Sequence, residues 1–160
     1  MNKTAIRKFA EWAREKLIED IKYKAGTVGI TENGIAEKLP QSTSDLHFYD
    51  IGTKDYSEIS GIEIKQREAL VKAIQTRERS YKNYQEAFEN VIEEVAYTWF
   101  NRLIAIRFME VNDYLPSGVR VLSSENKAKK EPDLVTTPFD TDLEFTSYEQ
   151  DRIIQLKDDN

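Results

Sequence analysis

Side-chain catalysis needs a nucleophile beside a base, two carboxylates with separated pKa values, or metal ligands at fixed spacing. This sequence offers little of any of these. His47 is the single histidine and there is no cysteine. A serine or cysteine triad would have to be built on that one base, and a zinc site of the usual His/Cys kind lacks its ligands. We read His47 as structural or solvent-exposed. Gly26 and Gly29 follow a helical pattern, not a strand, and no Lys-Ser or Lys-Thr pair comes after them. That spacing fits neither a phosphate loop nor a dinucleotide fingerprint. The carboxylate pairs Glu93–Glu94 and Asp158–Asp159 fall on helix faces expected to be solvated, where they are surface charge. The sequence thus predicts no catalytic residue, no cofactor-binding residue and no metal ligand.

What remains are cations that bind and do not react. Lys3, Arg7 and Arg14 fall close to one face of the first helical pattern, where they could meet phosphates. Glu11 lies one turn from Arg7 on nearly the same face and would pair with it, so a solvated, salt-bridged face is the simpler reading. Arg102 and Arg107 sit in the apolar half of the longest helical pattern. An arginine there pairs with a carboxylate, snorkels to the surface or docks another domain.

The elements that position these residues are mostly helical. The longest pattern runs over 85–112. Phe88, Ile92 (with Val91), Val95, Trp99, Leu103 and Ile106 recur at three- and four-residue steps. A second stripe, Phe100, Ile104, Phe108 and Val111, opens beside the first. From Trp99 onward apolar residues nearly surround the axis, which is more than one domain's own interface needs. Part of the 99–111 surface, or the face of a neighbouring helix, is therefore expected to lie exposed as an apolar patch.

The first helix is capped by Asn2 or Thr4 and reaches about Lys24. Its stripe is Ile6, Phe9, Ala10, Ala13, Leu17 and Ile21, widened by Trp12. Gly26 sits where a left-handed C-terminal cap is expected. The stretch 27–60 is broken by glycines, Pro40 and a polar run, and 46–51 within it reads as a strand or an apolar plug. Ser60 and Glu63 have capping-box spacing before a helix that ends near Glu78. A break follows at 79–83, then a second capping box at Asn83 and Glu86. The long helix must stop before Pro116. Residues 119–122 read as a short strand and 123–133 as an exposed charged loop. Thr146 and Glu149 form a third capping box, which opens a last helix through Ile153, Ile154 and Leu156. The expected fold is mainly α: one domain over 1–160, an irregular helical bundle around one long central helix, with long loops and room for one short β-hairpin.

Net charge is −6, which argues against the whole chain as a nucleic-acid binder. The charge is uneven, with a basic excess in 1–25 and an acidic one from Asp140 onward. No run has the apolar length that spans a membrane, and the N-terminus lacks the apolar region of a secretory signal. We expect a cytoplasmic protein. A chain that stops on a newly started helix is expected to be a piece of a longer one.

The stretch Glu93-Glu-Val-Ala-Tyr-Thr-Trp-Phe-Asn-Arg-Leu-Ile-Ala-Ile-Arg-Phe-Met-Glu-Val-Asn-Asp-Tyr-Leu-Pro116 resembles the N-terminal region of bacterial adenine-specific DNA methyltransferases of the PglX type, from BREX (bacteriophage exclusion) defence systems. Similar too are Met1-Asn-Lys-Thr-Ala5, Asp50-Ile-Gly52, Ser60-Gly61, Ile64-Lys-Gln-Arg67, Pro132-Asp-Leu-Val-Thr136 and Asp151-Arg-Ile-Ile154. The resemblance implies methyl transfer from S-adenosylmethionine to adenine N6, on a base flipped from the duplex and held by an Asn/Asp-Pro-Pro-Tyr/Phe motif. The prolines here are Pro40, Pro116, Pro132 and Pro138, no two adjacent, and the glycine-rich cofactor loop is also absent. No catalytic residue carries over. S-adenosylmethionine is expected in the full-length enzyme and not in this region alone.

The partners that the resemblance implies are the enzyme's own catalytic domain, DNA through the full-length enzyme, and other BREX proteins; no membrane is implied. Lys3, Arg7 and Arg14 are then the candidates for DNA-backbone contact, and Arg102 and Arg107 for domain docking. The alternative is a protein–protein docking module that recruits other defence components without touching DNA.

Overall fold

The computed structural model describes residues 2–158, with side chains over 2–156; the Asp158–Asp159 pair lies outside the described side chains. The elements are α1 (Lys3–Gly26), β1 (Ile30–Thr31), β2 (Gly34–Ile35), β3 (Leu46–Tyr49), β4 (Ser57–Ser60), α2 (Ile62–Glu78), α3 (Tyr84–Val111), α4 (Asp133–Thr136), a 3-10 turn at Pro138–Asp140 and α5 (Ser147–Asp158). The fold is mainly α, as the sequence predicts. Contacts divide the chain into two compact units, Met1–Phe100 and Asn101–Asn160.

In the first unit, α1 starts where the Asn2 side chain accepts the amide of Ala5 at 3.1 Å. Only the second half of its apolar stripe is covered. Ala13 and Ala25 are buried, and Ile18 and Ile21 pack on the core, whereas Ile6, Phe9 and Trp12 are exposed. Gly26 closes the helix and is not its left-handed cap. The amides of Val28 and Gly29 turn back to Ala25 and Gly26, and the left-handed residue is Gly29, at φ 73°. A Cβ at Gly29 would stand 2.8 Å from that of Ala36, so the turn depends on glycine there.

Residues 27–60 are more ordered than a long loop. β1 and β2 form one antiparallel pair, with Ile30 opposite Ile35. β3 and β4 form a second, with Leu46 opposite Ser60 and Tyr49 opposite Ser57. The first four residues of the 46–51 run are therefore a strand, which buries His47 and Tyr49 and turns Leu46 and Phe48 outward to half-buried positions. Where one short hairpin had room, two are present. The core gathers Ala25, Ile30, Ile74, Ala87, Phe88, Val91 and Ile92. Each large side chain among them stabilises by roughly 1.5–3 kcal/mol relative to exposure.

The three capping boxes fare differently. Ser60 does not cap α2: it ends β4, paired with Leu46, and Gly61 at φ 54° takes the cap position with no side-chain bond. The break at 79–83 is present. Asn83 does cap α3, accepting the Glu86 amide at 2.9 Å.

In the second unit α3 ends at Val111, before Pro116. Residues 119–122 are not a strand. Their backbone is taken by the start of α4, with the Leu134 amide on the Arg120 carbonyl at 3.0 Å. The loop before α4 is exposed but held by Asp133, whose carboxylate accepts the Ser124 hydroxyl and the Glu125 amide. The third capping box is complete. The Thr146 amide donates to Glu149 at 2.8 Å, and the Glu149 amide donates back to the Thr146 hydroxyl at 3.3 Å. Along the α3 segment of this unit, Ile104, Phe108 and Val111 are exposed, the apolar exposure that the 99–111 pattern predicts.

Candidate functional site

Three constellations concentrate the charged chemistry of the chain. The first is built on Arg67. Helix α2 turns a stripe toward the core at Ile64, Arg67, Leu70, Val71 and Ile74, and the guanidinium occupies one of its inner positions. Its Nε donates to the Val28 carbonyl at 2.8 Å and one terminal nitrogen to the Ala36 carbonyl at 2.6 Å. The guanidinium carbon lies 3.6 Å from the centre of the Tyr49 ring, a cation–π contact between two buried residues. The Tyr49 hydroxyl is in turn 3.1 Å from His47 Nδ1. Burial pulls the Arg67 pKa down, while Tyr49 and Glu68 oppose the shift. His47 is thus structural and buried, the first of the two readings that the sequence allows, and not solvent-exposed. This node joins the α1 turn, the residue after β2, and β3.

The second lies on α1. Arg7 pairs with Glu11 at 3.0 Å, and Arg14 reaches Glu93 of α3 at 2.8 Å. Lys3 is exposed near the helix start. The structure therefore places the three cations along one helix and sets a carboxylate against two of them. Beside them, the Phe9 ring lies 6.0 Å from Trp12 and 6.5 Å from Phe100 of α3.

The third is in the second unit. The Glu110 side chain is fully buried and pairs with Arg107 at 3.1 Å. It also accepts the Ser123 amide at 3.0 Å and the Ser123 hydroxyl at 2.7 Å, and Arg107 donates to the same hydroxyl oxygen at 2.9 Å. Burial pushes the Glu110 carboxyl up. The hydrogen bonds from Ser123 and Arg107 and the Arg107 charge outweigh that and hold it below its ordinary value. Arg102 is exposed on the same helix.

Arg67 and Glu110 were not singled out by reading the sequence for chemistry. The signal was available. Arg67 sits on the three- and four-residue steps between Ile64 and Ile74, and Glu110 on the steps after Leu103 and Ile106. A charge on an apolar stripe marks a buried, partnered ion. Among the described residues no group of three or more His, Cys, Asp or Glu is placed to hold a metal ion, and no helix is long and apolar enough to cross a membrane. The hydroxyls that meet a base, Tyr49 at His47 and Ser123 at Glu110, are buried or part-buried and serve as bracing hydrogen bonds.

Geometry of this kind binds and braces, and it leaves the family to be decided by likeness. Over 151 residues, 94% of its length, the chain is 49% identical to adenine-specific methyltransferase PglX of Lacticaseibacillus casei (strain Zhang). The chain is related to the PglX-type adenine-specific methyltransferases. It is also 33% identical over 124 residues to adenine-specific methyltransferase BrxX of Escherichia coli O9:H4 (strain HS). It spans 12% of the length of PglX and 9% of that of BrxX. No family model matches it, and no solved structure does. The likeness read from residues 93–116 therefore holds, and it runs through nearly the whole chain.

Proposed function

We propose that this chain is the N-terminal helical region of an adenine-specific DNA methyltransferase of a BREX phage-defence system, and that it packs on the catalytic domain of that enzyme. The observation that carries the reading is the 49% identity to PglX over 94% of the chain. The parent enzyme transfers the methyl group of S-adenosylmethionine to N6 of an adenine flipped from the duplex, in the cytoplasm. This region supplies no part of that chemistry. It contributes surface: exposed aromatic side chains on α1 and exposed arginines on α3 suit attachment to a larger body.

A second reading, direct contact with the DNA backbone, is favoured by the placement of Lys3, Arg7 and Arg14 along one helix. Their carboxylate partners do not forbid it, because an exposed ion pair holds by no more than about 1 kcal/mol and a phosphate can displace it. Arg102 and Arg107 remain candidates for docking, whether onto the catalytic domain or onto other BREX proteins.

The test is the protein made from the full reading frame. With S-adenosylmethionine it is expected to leave N6-methyladenine in DNA, while the 160-residue chain alone binds no S-adenosylmethionine by calorimetry. A full-length protein that methylates no adenine, or cofactor binding by the short chain, would overturn the reading. In the same enzyme, changing Lys3, Arg7 and Arg14 to Gln flattens the salt dependence of DNA binding if α1 meets phosphates. An unchanged slope leaves packing as the whole role.

A further inference from the structure

The N-terminal half of α1 is amphipathic in sequence, yet its apolar side is bare. Ile6, Phe9 and Trp12 are 48%, 48% and 60% exposed; the Phe9 ring adjoins Trp12 and the half-buried Phe100, and Ile6 stands one turn before Phe9 on the helix. A groove of about 200 Å³ runs beside it, lined by Ala10, Arg14, Glu93, Ala96, Tyr97 and Phe100. The Arg14–Glu93 pair belongs to its wall. Together the four apolar side chains leave roughly 400 Å² uncovered, in the range of patches that mark a contact site.

We infer that this face is the seat on which the remainder of the parent methyltransferase packs. The inference rests on the reading that the chain is one region of that longer enzyme. Three observations favour this occupant. Of the cations on this part of α1, Arg7 is matched by Glu11, Arg14 by Glu93 and Lys16 by Asp20. The face itself is apolar, which suits a protein surface better than a polyanion. Its area is about half of the roughly 800 Å² per partner that a free dimer needs, so a second copy is a poor occupant. A domain on the same chain acts at an effective concentration on the order of millimolar and needs less area. The matched region makes up 12% of PglX, so most of such a chain lies outside this region.

Hydroxyl-radical footprinting of the full-length enzyme, read by mass spectrometry against free phenylalanine as dosimeter, tests the inference. The protection factors of Phe9 and Trp12 are expected to approach that of Phe88, which is buried. They should exceed that of Tyr23, which is 77% exposed, severalfold. Protection factors like that of Tyr23 overturn it. Protection that fades on dilution also overturns it, since it assigns the face to a second copy. If the enzyme methylates adenine and Phe9 and Trp12 stay open, only this inference falls. If it does not methylate adenine, the reading beneath it falls as well.

Discussion

At the scale of single residues, the decisive feature is a cation buried where an apolar residue would be expected. Arg67 keeps its charge out of water because its fork meets two carbonyls and a ring face at once. Removing it leaves the carbonyls of Val28 and Ala36 without their donor, at about 1–3 kcal/mol each. Arg67→Ala is therefore expected to lower the stability of the chain by about 2–5 kcal/mol, measured by urea unfolding. Arg67→Lys should recover little, since an ammonium cannot serve two divergent acceptors and the ring in one geometry. A lysine variant as stable as the parent would show that charge alone suffices. The sequence displayed this residue on a helical stripe, but apolar counting passes over a charge. What it could not display was the partners, which come from 39 and 31 residues away. His47 was legible for a plainer reason: a single histidine without a nucleophile or co-ligands has little else to be.

At the scale of elements, length governed what was legible. α1, α2 and α3 each repeat their apolar step often enough to be read, and their observed bounds lie close to the expected ones. The strands of 27–60 have two to four residues, too few to establish alternation, and the inward positions of β3 are His47 and Tyr49. The capping boxes show the limit of a four-residue signature. Thr146 and Glu149 complete theirs, Asn83 makes its half, and Ser60 is committed to a strand. Thr146→Ala should cost about 1 kcal/mol, seen as faster amide exchange through α5. Ser60→Ala should leave α2 unchanged, because its hydroxyl caps nothing in the structure. Equal effects in the two helices would contradict the distinction. The exposed half of the α1 stripe shows the limit of periodicity, which reports that a face is made for burial and not which body buries it.

At the scale of the whole molecule, the two units answer differently to acid. Glu110 is held below its ordinary pKa by hydrogen bonds and Arg107, which outweigh burial. Asp133 is lowered by the Ser124 hydroxyl and the Glu125 amide, and Glu149 by the amide and hydroxyl of Thr146. All three belong to Asn101–Asn160. A carboxyl whose pKa is lower folded than unfolded stabilises fully above its unfolded value, near 4, and that stabilisation is lost as pH falls through the folded value. Among the described residues of Met1–Phe100, the buried arginine is Arg67, which keeps its proton throughout the acid range. Titration from neutral pH to about pH 3 is thus expected to unfold the second unit first. The sequence carries two tryptophans, and Trp12 and Trp99 both lie in the first unit. Far-UV ellipticity should drop while indole emission stays native, and coincident curves would refute the order. The indoles make the chain its own part-labelled sample: fluorescence reports from two side chains that both belong to the first unit, circular dichroism sees both units, and the difference between the two traces brings out the unit that carries no indole of its own.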